Sequence, residues 1–356
     1  MNKKTLSCLL KTFGMFCLAA SFAQKVGAQA NENPLYLSPR GPVPIRNMRP
    51  YNLLFLQFLP DSGDALAAGK SRYRLQLDVA NNMLIPRPGE GATVIEDNEY
   101  QRVSFDWRRG LGKRTEFSVN ASLIWRNGGF TAELIQAYHD LIGYSSRQRD
   151  IPQGRGTYPQ NRSILQVTDA AGNTTISQGN AFGLGETTLT VKRSLTNQTR
   201  RSALALRFGL KLPTGNPTLL LGSGGIDAGF SLDGRYSVGR DIIFYANIGG
   251  AILGPARHAP GAQPSLSQGF LGLEYRPNNR DSFFFQFDSA SLALRTGNKF
   301  ADGVGTEATF GYKRILDRHH ILIASFSENG GIDNYSAPYI ANIGPNIFSL
   351  GLEWLP

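Results

Sequence analysis

The feature that most limits what this chain can fold into is a period-two alternation of apolar and polar side chains, repeated along most of its length. In Tyr73-Arg74-Leu75-Gln76-Leu77-Asp78-Val79 the odd positions are apolar and the even ones polar or charged. Successive side chains of a strand point to opposite faces, so one face carries Tyr73, Leu75, Leu77 and Val79 and the other Arg72, Arg74, Gln76 and Asp78. Val103, Phe105 and Trp107 alternate in the same way with Arg102, Ser104, Asp106 and Arg108, and Phe117, Val119, Ala121, Leu123 and Trp125 with Glu116, Ser118, Asn120 and Ser122. The pattern predicts strands at 71–83, 99–109, 115–126, 184–195, 202–212, 226–238, 241–253, 267–277, 282–294, 306–316, 319–328 and 346–354. A soluble sandwich would alternate too. These strands, however, run about ten to thirteen residues, enough for a tilted crossing of a hydrocarbon layer. Aromatic residues fall near their ends (Tyr73, Trp107, Trp125, Tyr236, Tyr275, Phe283, Tyr312, Trp354), where interfacial girdles would lie.

The connections carry the same message. Every second one is tight: 110–113, 197–200, 239–240, 277–280 and 317–318. The others are long: 84–98, 127–183, 213–225, 254–266, 295–305 and 329–345. Strict alternation with an even strand count predicts an all-β, antiparallel transmembrane barrel of twelve strands, with short turns and both termini in the periplasm. The final segment, Phe348-Ser349-Leu350-Gly351-Leu352-Glu353-Trp354-Leu355-Pro356, looks like the terminal strand that barrel-assembly machinery recognises, apart from its Leu355-Pro356 ending.

The first thirty residues read as a leader. Lys3, Lys4 and Lys11 precede an apolar stretch over 13–22, and Ala28-Gln29-Ala30 supplies a small-x-small cleavage pattern. Both cysteines, Cys8 and Cys17, fall within it, so the mature chain would carry neither a disulfide nor a thiol nucleophile. Cleavage would lower the formal charge from +10 to +6, an excess suited to solvated loops, to anionic solutes or to lipopolysaccharide phosphates. No window of about 20 apolar residues follows, which excludes a helical membrane protein. The expected location is the outer membrane, reached by export through the periplasm. The expected partners are outer-membrane lipid and lipopolysaccharide, the assembly machinery and a small-molecule solute, with no nucleic acid.

Two regions stand outside the strand count. Residues 31–70 are broken by Pro34, Pro39, Pro42, Pro44, Pro50 and Pro60, yet contain the apolar run Leu53, Leu54, Phe55, Leu56 and Phe58. This segment is a candidate lumen plug buried against the inner wall, with a thirteenth strand or a periplasmic flap as the alternatives. The long loop 127–183 combines helical spacing at Phe130, Leu134, Tyr138, Leu141 and Ile142 with a hairpin pattern at 164–168 and 174–177 around Ala171-Gly172-Asn173. Such a loop could fold inward to constrict a channel or cap the rim from outside.

The chemistry expected is not enzymatic. Four histidines are present: His139, His258, His319 and His320. None has a nucleophile at a recognisable spacing, and the adjacent pair would point to opposite faces of a strand, so no catalytic residue, metal or cofactor is expected. The polar faces instead supply lumen-lining candidates of both signs: Arg72, Arg74, Asp78, Arg102, Asp106, Arg108, Glu116, Arg207, Lys211, Asp233, Arg235, Glu274, Arg276 and Asp288. The same faces carry Glu186, Lys192, Asp227, Glu307, Lys313 and Glu353. They would form either a salt-bridged wall filling a narrow barrel or a polar pore.

Two resemblances complete the reading. Lys211-Leu212-Pro213-Thr214-Gly215, followed by Leu221-Gly222-Ser223-Gly224-Gly225 and Asp227, resembles the outer-membrane family named for meta-pathway phenol degradation, whose members are transporter-like barrels. Gly41-Pro42-Val43-Pro44-Ile45-Arg46-Asn47, Phe55-Leu56-Gln57-Phe58 and Asn127-Gly128-Gly129-Phe130 resemble an uncharacterised bacterial family of unknown function, which supports the fold and compartment and implies no substrate. The resulting expectation is a channel or transporter-like barrel for small solutes, hydrophobic or aromatic ones by the first resemblance. The alternative is a non-conducting structural or envelope-interaction barrel.

Overall fold

The computed structural model describes residues 40–84, 92–131, 133, 135, 137, 162–199, 201–298, 301–302, 304–329 and 345–356. The expected leader lies outside them, as does most of the expected loop helix, of which Thr131, Glu133, Ile135 and Ala137 have helical backbone. Fifteen strands form one sheet: β1 (Ser71–Leu84), β2 (Thr93–Gly112), β3 (Thr115–Asn127), β4 (Ile164–Thr168), β5 (Thr174–Gln178), β6 (Ala181–Leu184), β7 (Thr187–Ser194), β8 (Ser202–Leu212), β9 (Asp227–Val238), β10 (Ile242–Ile252), β11 (Ser265–Tyr275), β12 (Asp281–Ala290), β13 (Gly305–Ile315), β14 (His320–Asn329) and β15 (Asn346–Trp354).

Each wall strand pairs antiparallel with its chain neighbours. The ring closes where β1 meets both β2 and β15, Tyr73 standing opposite Trp107 on one side and Trp354 on the other. The fourth wall strand is made in two pieces, because β6 pairs with the far half of β3 and β7 with its near half. Counted so, the wall is a closed barrel of twelve strands. Closure pairs the long wall strands on both edges, and among the described residues only the short β5 and β6 end the ladder.

Alternation sorts the two faces. Leu75, Phe105, Phe208, Phe230, Leu271 and Leu350 point outward and are exposed, although they are large and apolar. Arg74, Asp106, Arg207, Asp233, Glu274 and Ser349 point inward and are buried. An apolar outside around a charged inside is the reverse of a soluble domain and suits a lipid surround. At the tight-turn end, Tyr73 stacks on Trp354 with ring centroids 5.3 Å apart, Trp107 meets Phe117 edge-on at 6.1 Å, and Phe283 meets Tyr312 at 5.3 Å.

Several expected boundaries differ, among them the end of β12, at Ala290 instead of the expected 294. The loop at 84–98 is shorter than expected, because β2 starts at Thr93 and its extension pairs with β4. The strand expected from 184 begins at Ala181 and is interrupted at Gly185 and Glu186, where the Gly185 amide still donates to the Ser122 carbonyl at 2.9 Å. The loop hairpin forms as β4 and β5, and β4 joins it to the β2 extension.

Candidate functional site

Residues 40–68 run inside the barrel. Apart from the 3-10 turn Asn52–Leu54 they adopt no regular structure, so none of them forms a thirteenth strand. Proline explains this locally, since six prolines between 34 and 60 remove donors and fix φ. The partners then trace the path. Arg40 donates to Ser282 and to the Asn279 carbonyl at the tight-turn end. The Val43 amide donates to Gln286 at 2.6 Å, and Gln76 donates to the Pro44 carbonyl at 3.1 Å. Asn82, near the other end of β1, donates to the Met48 carbonyl at 3.4 Å. The chain turns back through the 3-10 turn and descends: the Leu56 amide donates to Asp227 at 2.8 Å, Phe58 to Gln268 at 3.1 Å, Asp61 to Asn247 at 3.0 Å and Leu66 to Glu116 at 2.9 Å. A segment that bonds to β1, β3, β9, β10, β11 and β12 of a closed ring lies within the ring.

The charges of this inner hairpin are segregated. Its first arm carries Arg40, Arg46 and Arg49, and its second carries the acids Asp61 and Asp64. The Asp61 carboxylate is shared by Arg108 at 2.8 Å, Lys192 at 3.2 Å and Arg207 at 3.5 Å. Burial raises the pKa of this carboxyl, but the three cations outweigh it and hold the group below the ordinary carboxylate range. Asp64 receives a fork from Arg235, with Nε 2.6 Å from one oxygen and Nη2 3.0 Å from the other. The network continues round the wall: Arg108 binds Asp106 at 2.8 Å, Arg74 approaches Asp106 at 3.7 Å, and Arg207 binds Asp233 at 3.1 Å.

The glycine-rich motif after β8 serves the tip of the hairpin. Lys211, fully buried, lies 3.2 Å from both Glu186 and Asp227, and donates to Ser223 and, at 2.9 Å, to the Leu54 carbonyl. Its ammonium also stands 5.6 Å from the Phe55 ring centre, as the Arg207 guanidinium stands 5.1 Å from that of Phe58. Leu54, Phe55, Leu56 and Phe58 join Leu165, Val167 and Ile176 of the β4–β5 hairpin in one apolar cluster at the long-loop end, and Leu53 packs in a second with Met48 and Leu221. Two inward glycines leave room for the hairpin. A Cβ on Gly209 would meet the Phe58 ring at 2.7 Å, and one on Gly311 would meet Val43 at 2.4 Å.

All fourteen lumen candidates lie on the inner face. Arg74, Asp106, Arg108, Arg207, Lys211, Asp233 and Arg235 belong to the contacts above. Asp78 pairs with Arg102 at 3.4 Å and accepts from Ser349 at 2.7 Å, while Glu274 accepts from Tyr245 at 2.5 Å and Ser282 at 2.7 Å. Arg72 is partly open and reaches Glu353 at 3.6 Å. Glu116 lies 3.3 Å from Lys192, and Arg276 is buried beside the cavity at the tight-turn end. Asp288 differs: it stands opposite Glu307 in the β12–β13 register, its Oδ2 and both Glu307 oxygens are buried, and none of the three has a hydrogen-bond partner among the described residues. Sequence reasoning missed Asp61, Asp64, Arg40 and Arg49, which have no strand periodicity to mark them. The arm-by-arm segregation of charge was the signal available.

Two spaces remain. About 40 Å³ separates the hairpin from the β9–β13 wall beside Asp288 and Glu307, room for little more than water. About 590 Å³ opens at the tight-turn end beneath Asp61 and Asp64. Among the described residues no group of three or more metal-ligating side chains occurs.

A closed twelve-stranded barrel with a charged, occupied lumen has the fold of outer-membrane channels. An outer-membrane channel from Pseudomonas putida F1 aligns with a TM-score of 0.51 at 12% identity, over 84% of this chain and 99% of that one. The NanC porin aligns at 0.41 with 9% identity (79% and 98% covered), and the KdgM porin at 0.40 with 7% identity (80% and 98% covered). The chain belongs to the family described as a protein of unknown function, DUF3187, whose model matches residues 18–336. No curated protein matches it.

Proposed function

We propose that this protein is an outer-membrane channel for small solutes, with residues 40–68 as a removable plug, the tight turns in the periplasm and the long loops outside. The leader would direct export, assembly machinery would insert the barrel, and lipid and lipopolysaccharide would surround the apolar band. The observation that carries the reading is how the inner hairpin is held. It docks on wall side chains through hydrogen bonds and ion pairs and adds no strand to the wall ladder. Contacts of this kind are exchangeable with water or solute, so the hairpin can leave without opening the barrel. Hydrophobic or aromatic solutes follow from the meta-pathway resemblance alone.

Planar-bilayer conductance of the full mature protein and of a variant lacking residues 31–66 tests the proposal. The shortened variant keeps the bonds of Lys70 and Gly69 to Gly110, which fix the start of β1. Discrete steps that enlarge on deletion are expected. Silence in both proteins would leave the second reading, a non-conducting envelope barrel, which the filled lumen favours. Lipid hydrolysis in the same vesicles would revive an enzymatic role.

A further inference from the structure

The 590 Å³ vestibule at the tight-turn end is within the size range of small-molecule sites and carries an unbalanced charge. Nine arginines and lysines line it against five carboxylates, Asp61, Asp64, Glu116, Asp241 and Glu353, with Asp106 behind the lining also paired to Arg74 and Arg108. The carboxylates are also oversubscribed. Asp61 serves three cations, Glu116 lies 3.7 Å from Arg108 and 3.3 Å from Lys192, and Glu353 lies 3.6 Å from Arg72 and 3.4 Å from Lys313. Arg40 is 4% exposed, donates to the neutral acceptors Ser282 and Asn279 with Glu274 behind Ser282, and has an Nε without a hydrogen-bond partner among the described residues. A low-dielectric cleft with this excess of one sign focuses a positive potential. The lining is not wholly polar, since Ala65, Leu66 and Ala67 contribute apolar surface, with Pro60 and Ile243 behind them.

We propose that the vestibule is a binding site for small organic carboxylates, the carboxylate taking up the surplus cations and the hydrocarbon body resting on the apolar patch. A cation is repelled there, a neutral solute leaves the surplus charge unmet, and an inorganic anion makes no use of Ala65, Leu66 and Ala67. The site also adjoins the Asp61 latch, so a bound carboxylate competes with Asp61 for Arg108 and Lys192. This names the solute class of the channel and rests on that reading for its role in transport, though not for binding itself.

Titration calorimetry of the full mature protein in detergent with benzoate, benzamide and inorganic phosphate tests the site. Benzoate binds at least tenfold more tightly than either comparison probe, and its affinity falls with added salt. The double variant Arg40→Gln, Arg72→Gln weakens benzoate at least tenfold while heat-modifiable gel mobility reports an intact barrel. Should that variant not fold, Arg240→Gln at the exposed β9–β10 turn gives the same loss on a smaller scale. Benzamide or phosphate binding as well as benzoate, or no effect of either variant, overturns the proposal. Conductance of the same preparation separates the two readings. A channel that conducts without binding benzoate removes this site and spares the channel, and a silent barrel that binds benzoate does the reverse.

Discussion

The two sides of the lumen treat their carboxylates in opposite ways. On the β2–β7–β8 side, Asp61 of the inner hairpin is clasped by Arg108, Lys192 and Arg207. On the β12–β13 side, Asp288 and Glu307 face the first arm across about 40 Å³, and neither Glu307 oxygen has a hydrogen-bond partner among the described residues. A buried carboxylate with cations on it resists removal of either partner, whereas one without partners raises the energy of the docked state. The difference assigns holding to the descending arm. Among the described residues the ascending arm has a single ion pair of its own, Arg49 to Glu96 at 3.1 Å, and otherwise neutral hydrogen bonds such as Val43 to Gln286, so it is the arm expected to leave first.

The largest expected effect comes from breaking the clasp. Asp61→Asn leaves Arg108, Lys192 and Arg207 with their wall carboxylates only and costs docking up to about 3–5 kcal/mol, the usual penalty for removing one partner of a buried ion pair. Amide hydrogen exchange over residues 57–66 should rise steeply and the closed state should leak current; exchange equal to the wild type would show that the clasp holds nothing. Acid should act through the same group. Its folded pKa lies below the unfolded one, so its contribution is complete above the ordinary carboxylate range and is lost only as pH falls through the lower folded value. Conductance should therefore stay at its resting level at pH 5 and rise only in stronger acid, a dependence that Asp61→Asn removes.

A steric change probes the other side. Gly311→Leu drives a side chain into Val43 and should cost about 1–3 kcal/mol, freeing the ascending arm. Gly209→Leu presses on Phe58, which sits on the clasped arm, and should open the channel less, as single-channel recording would show. Equal opening by both would erase the asymmetry. The smallest effect is expected from Glu307→Gln, which changes a carboxylate with no hydrogen-bond partner among the described residues. Thermal stability should change by no more than about 1 kcal/mol, and upward. A fall of several kcal/mol would mean that Glu307 is held by contacts other than those described.

The strands were legible because a period of two is a local property, visible within Tyr73–Val79 of β1 or Phe348–Trp354 of β15. The extension Thr93–Asp97 of β2 was not, because its partner β4 comes from a different loop. The inward set, Arg207, Lys211 and Asp233 among them, followed from the same alternation. Asp61 did not, since its three partners lie 47, 131 and 146 residues away and only barrel closure brings them together. The glycine-rich motif after β8 was visible as a motif, but its task of holding Leu54 through Lys211 depends on a hairpin that periodicity cannot describe.

The seam between β1 and β15, from Tyr73–Trp354 to Asn81–Asn346, joins the first and last wall strands. The hairpin that fills the barrel is continuous with β1 and precedes it, so it is synthesised before any of the staves that will surround it. Nothing can complete the ring until β15 has been made. The wall can therefore gather around contents already in hand, like a cask coopered about its bung.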